Sequence, residues 1–231
     1  MTMDTDELIK RLAADLQPVR PLRPAWTRAL LWMGIALPYV AAVAWNKLMM
    51  VDVVQVTADA RFVVEQAATL ATALTAANAA FRSAIPGFDR RFVLLPLAPL
   101  ALWLGSVGHG CVQDWIRLGA EGLTIRPDWD CLPMTTIIGI LPAVAIVAML
   151  RKGLPPLPRL TLAMAALAVA SIANFGLQFA HFRDASIMVL MWHLGAAAIL
   201  AGVGSCLGGL VLGSRPARSQ VPEWHSRDRY R

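Results

Sequence analysis

Long apolar runs alternate with short polar links along most of this chain. The runs extend from about Ala29 to Trp45, Phe62 to Phe81, Phe92 to Val107, Leu132 to Leu150, Leu160 to Phe179 and Ile187 to Leu212. Each is close to the length of about 20 residues that a helix needs to cross a bilayer, so the pattern predicts six transmembrane helices. Trp26, Trp32 and Trp45 are candidate interface rings for the first span, and Pro38 is a candidate kink. Pro96 and Pro99 are expected to break the third. The second is rich in Ala and Thr and contains Glu65, Gln66 and Asn78.

Ahead of these runs the pattern changes. Leu8, Leu12 and Leu16 recur at steps of four with Ile9 beside them, which on an α-helix forms one leucine stripe. Asp4 is placed to cap the first turn, Glu7 stands where a capping box puts its carboxylate, and Pro18 ends the helix because its ring cannot continue the ladder. A helix this short is marginal alone in water, so the stripe needs a lipid surface, the protein's own loops or another protein. The polar side sets Asp6, Glu7 and Asp15 against Lys10 and Arg11. That near-neutral balance favours a protein partner over an anionic bilayer.

Composition supports the membrane expectation. Of 231 residues 57% are hydrophobic and 16% charged, whereas a soluble domain carries about 25% charged. The net charge of +6 would suggest nucleic acid on a soluble face, but here the basic residues flank the apolar runs. With the N-terminus inside, six spans leave sixteen Lys and Arg on the cytoplasmic side, and only Lys47, Arg61, Arg117, Arg126 and Arg183 outside. Both termini are therefore expected in the cytoplasm. The acidic start has no short apolar run before a small-residue cleavage site, so no cleaved signal peptide is expected. The expected organisation is a cytoplasmic helix in residues 1–24, a six-helix membrane domain in 25–213, and a disordered basic tail in 214–231.

Candidate chemistry is sparse. Cys111 and Cys131 bracket the longest link, HGCVQDWIRLGAEGLTIRPDWDC. On an oxidising face they are a candidate disulfide, and closing such a loop would stabilise by about 3 kcal/mol; a structural staple and a redox switch are equally compatible with the spacing. Cys206 reads as a small buried hydrophobe. His109, His181 and His193 match no zinc-ligand spacing, so no metal or cofactor is expected. Glu65 is expected to pair with Arg61 at a membrane boundary, and Asn78, Asn174 and Gln178 to hydrogen-bond between helices. Gly204 and Gly208, then Gly209 and Gly213, give small-xxx-small spacing suited to packing within the monomer, with homodimerisation second. No nucleophile with a base, phosphate loop or carboxylate pair stands out, so catalysis is not expected. A small transporter or channel is the alternative that composition leaves open, although no inverted repeat supports it. A redox or metal enzyme built on His109, Cys111, Cys131 and His181 is a second.

The segments LIKRLAADLQPVRPL, FDRRFVLLPLAPLALW, GCVQDW, DCL and FRDASIMVLMWHLG, in this order and spacing, resemble the NrsF-type negative regulators of extracytoplasmic-function sigma factors. The resemblance implies an anti-sigma factor of the bacterial inner membrane that sequesters its sigma factor and releases it on an envelope signal, with no nucleic acid bound directly. It gives the leucine stripe a role, with Leu8, Ile9, Leu12 and Leu16 as anchors and Asp15 and Arg20 as polar contacts. Outer-side cysteines sense metals or oxidants in such relatives, and Cys131 stands in the matching DCL motif. The second family cysteine is missing, because His181 is followed by Phe182. A sensor pair here would use Cys111 with Cys131.

Overall fold

A computed structural model describes residues 4–14, 22–48, 58–123, 131–153 and 155–179, with scattered positions between 187 and 206. All regular structure among them is helical. The helices are α1 (Thr5–Ala14), α2 (Ala25–Leu48), α3 (Ala60–Ser83), α4 (Leu97–Leu118), α5 (Cys131–Leu150) and α6 (Pro158–Gln178). Short 3-10 turns at Arg90–Leu94 and Gly119–Leu123 flank α4.

Local sequence explains most of the boundaries. Asp59 caps α3 by accepting from the Arg61 N–H at 2.9 Å, and Asp89 does the same for the Arg91 N–H at 2.9 Å before the 3-10 turn. Pro158 opens α6 at a position where its missing N–H costs nothing. Of the two prolines expected to break the third span, Pro96 does so, separating the 3-10 turn from α4 as the N-cap of that helix, whereas Pro99 lies in the first turn of α4 and leaves it unbroken. There, too, the absent N–H groups would have had no intrahelical acceptor. This helix also runs eleven residues beyond Val107, so the first part of the expected long link is helical and Cys111 sits within α4.

Side-chain contacts fix how the helices run. Arg28 near the start of α2 donates to the Met149 carbonyl near the end of α5, Trp32 donates to the Pro142 carbonyl at 2.9 Å, and Tyr39 donates to the Ile137 carbonyl at 2.6 Å. These contacts make α2 and α5 antiparallel. Ser83 and Thr161 share a hydroxyl hydrogen bond of 2.9 Å, while Asn174 donates to Thr69 at 3.5 Å, so α3 and α6 are antiparallel too. Successive helices from α2 to α6 alternate in direction. Trp32, expected at an interface, is fully buried; its indole N–H is satisfied by the Pro142 carbonyl of α5, whereas Trp26 and Trp45 are exposed.

The core lies between α3 and α6, with α2 and α5 completing it. Ala73, Ala76, Ala77, Ala80 and Phe81 of α3 meet Ala165, Ala168, Ile172 and Ala173 of α6 together with Trp32, Ala36 and Val40 of α2. Small side chains allow this approach. At Gly176 of α6 any Cβ would collide with Val40. A smaller cluster of Ala68, Trp103 and Val107, joined by Leu190, attaches α4 to the outside of α3.

Four helical stretches are long and apolar enough to cross a membrane: Ala25–Trp45, Arg90–Glu121, Pro133–Leu150 and Pro158–Gln178. At 1.5 Å per residue α3 spans about 36 Å, yet its Ala, Thr and amide content keeps it out of that group. Of the expected sixth span only scattered helical positions are described, and Gly204, Gly208, Gly209, Gly213 and the tail 214–231 lie outside the described residues.

Candidate functional site

The candidate partner-binding element is α1. Its described part is the ten residues Thr5–Ala14, and the expected stop at Pro18 lies outside the described residues. The Asp4 carboxylate accepts from the Asp6 N–H at 3.4 Å, and Asp6 and Glu7 place negative charge in the first turn, where the helix dipole favours it. Every described α1 side chain is exposed, including Ile9 with 57% of its surface accessible. The side chains of Leu8 and Leu12, and residues Asp15, Leu16 and Arg20 altogether, lie outside the described residues.

Where the chain enters α2, Arg28 ties three helices together. It is 5% exposed, its guanidinium carbon stands 4.5 Å above the Phe81 ring of α3, and it donates to the carbonyl end of α5. A cation at a helix C-terminus and over an aromatic face is favourable on both counts. Close by, Arg82 stacks over Phe92 at 3.7 Å, and the turn after α5 brings Gly153 against the Ala84 backbone, where a Cβ would come within 2.9 Å of the carbonyl oxygen.

At the opposite end a polar cluster joins α3 to α4. Arg61 Nε donates to Glu65 Oε1 at 2.9 Å, and the Ser106 hydroxyl donates to the same oxygen at 3.0 Å. The expected boundary pair therefore forms, with a contact from α4 that the sequence did not reveal. The Arg61 guanidinium occupies the space a side chain at Gly110 would fill. The next residue, Cys111, is a half-buried free thiol whose charged neighbours are Asp114 and Arg61. His109 and Gln113 are hydrogen-bonded at 3.1 Å one turn apart on the exposed side of α4. The Cys131 side chain, His181 and His193 lie outside the described residues, so the pairing of Cys111 with Cys131 is carried forward as a proposal. Among the described residues no cluster of three metal-ligating side chains exists.

Among the described residues the geometry combines an exposed helix with acidic residues in its first turn and an apolar helical bundle. The family model for NrsF, described as negative regulator of sigma F, matches residues 12–213. The protein belongs to this family, whose name assigns it the negative regulation of a sigma factor. The match begins inside α1 and runs through the last apolar segment. No curated protein and no solved structure matches the chain.

The sequence pointed to α1, Glu65 and Arg61. It missed Arg28, Ser106 and Gly110. Arg28 looked like an ordinary flanking charge, and the role of Gly110 depends on which arginine crosses from another helix.

Proposed function

We infer that the protein is a membrane-embedded anti-sigma factor that holds an extracytoplasmic-function sigma factor at the bacterial inner membrane and releases it on an envelope signal. The observation that carries this reading is the family match across residues 12–213. The four long apolar helices supply the anchor, and the outward-facing α1 supplies a surface for the partner. Leu8, Ile9, Leu12 and Leu16 would enter an apolar groove of the sigma factor, with Asp15 and Arg20 making polar contacts at its edge. Sequestration would cover the surface by which the sigma factor engages RNA polymerase. Both termini lie in the cytoplasm, in keeping with the distribution of Lys and Arg. Cys111 and Cys131 on the outer side are the candidate input, responding to oxidants or thiophilic metals.

The test is capture of the co-encoded sigma factor by full-length protein in detergent, by a peptide of residues 1–24, and by Leu12→Asp forms of each. Binding by both, abolished in both by the aspartate, is the expected result. Binding by full-length protein alone, insensitive to the aspartate, would move the contact to the cytoplasmic links. Cys111→Ser and Cys131→Ser strains should lose induction by oxidants; unchanged induction would remove the thiols from the signal path.

A further inference from the structure

The α3–α6 seam carries buried amide atoms without a hydrogen-bond partner among the described residues. The register is set by the Ser83–Thr161 hydroxyl pair near one end and by Asn174 donating to Thr69 further along. One more turn along both helices sets Gln66 of α3 across from Gln178 of α6. Gln66 is 7% exposed and Gln178 is 3% exposed. Gln66 lacks a hydrogen-bond partner at both Nε2 and Oε1 among the described residues, and Gln178 Oε1 and Asn174 Oδ1 lack one as well. Near the same end Phe62 of α3 meets Phe179 of α6 edge to face at 5.5 Å between centroids, and Phe175 meets Phe179 at 5.6 Å.

The chemistry of these orphans narrows what can sit among them. A cation would serve the three oxygens and leave the Gln66 donor bare; an anion would serve that donor and face three oxygens. Only a molecule that both donates and accepts matches the set, and the burial of Gln66 and Gln178 restricts it to a small one. Leaving such groups dry incurs the full desolvation penalty of each, whereas a buried water making about three hydrogen bonds removes it. We propose that Gln66, Asn174 and Gln178 form a site for bound water within the α3–α6 seam. The two helices are then joined directly through Ser83–Thr161 and Asn174–Thr69, and through water one turn beyond the latter.

The experiment is NMR of the full-length protein in lipid nanodiscs, with nitrogen-15 in glutamine, asparagine and tryptophan, reading magnetisation transfer from water to side-chain amides. Cross-peaks to water are expected at the Gln66 and Gln178 amides. None is expected at the Trp32 indole, which is fully buried and bonded to the Pro142 carbonyl. Gln66→Met keeps the volume and removes both polar ends, so it should weaken or abolish the Gln178 cross-peak. Absence of water cross-peaks at both amides in the unmodified protein would overturn the proposal, as would a direct hydrogen bond between the two glutamines. The unmodified protein decides the matter even if the variant does not fold.

Discussion

Helices α3 and α4 are neighbours in the chain and similar in length, but they face opposite surroundings. Thirteen of the 24 residues of α3 are buried, and they are mostly Ala, Thr and amides. Of the 22 in α4 only Trp103, Val107 and Gly110 are buried, while Leu97, Leu102, Val112 and Ile116 are exposed. The less apolar helix is the more enclosed. In water this order would be costly, because large apolar side chains gain by leaving solvent. In a bilayer the solvent is itself apolar, so nothing drives leucine inward, and helices associate through small residues that let backbones approach and polar groups that find partners. The contrast between α3 and α4 is what a lipid environment selects.

The largest test of this contrast adds bulk to the enclosed helix. Ala77 is fully buried, and Ala77→Leu should destabilise by about 1–3 kcal/mol through overpacking. The same change at exposed Ala101 of α4 should stay within about 0.5 kcal/mol. Thermal unfolding in detergent, followed by tryptophan fluorescence, measures both; equal effects would break the comparison. A second test removes a polar link from the seam. Thr161→Val deletes the hydroxyl shared with Ser83 and should cost about 1 kcal/mol in the same assay.

A sharper pair uses two glycines of α4. Gly110→Ala forces the Arg61 guanidinium away and separates it from Glu65, so a net loss of up to about 1 kcal/mol is expected for an ion pair that solvent partly screens. At Gly105 nothing lies within 4 Å of an added Cβ, and Gly105→Ala should instead stabilise by about 0.5 kcal/mol through helix propensity. Opposite signs in the midpoint shifts support the clamp, and like signs would dismiss it. An effect of similar size concerns the entry to α3: Asp59→Ala removes the cap on the Arg61 N–H, at about 0.5–1 kcal/mol, and should speed amide exchange in that first turn.

Much of the helical framework was legible beforehand, for a simple reason: runs of apolar residues broken by charged links report directly on which backbone can be buried. The fourth and fifth expected spans agree with α5 and α6 to within two residues at each end. In the third, Pro96 breaks the helical structure as expected, but Pro99 was read as a breaker where it sits in a first turn that needs no N–H, a distinction that depends on where the helix begins. Asn78, Asn174 and Gln178 were expected to bond across helices. Among the described residues Asn174 does so, to Thr69, while Asn78 Oδ1 and Gln178 Oε1 find no partner. Periodicity places an amide on a face but does not fix whether the facing residue is within reach.

The sequence by itself determined the helical class, the apolar segments, the amphipathic start with its acidic first turn, and the family. Each depends on residue type and spacing along one segment, where side-chain hydrophobicity and backbone geometry act locally. Tertiary structure decided that α3 is enclosed while α4 stands outside it, that Arg28 locks three helices at the point where α2 begins, and that Gly110 makes room for Arg61. Those facts depend on which segments meet and how closely, and close approach is a property of two surfaces at once.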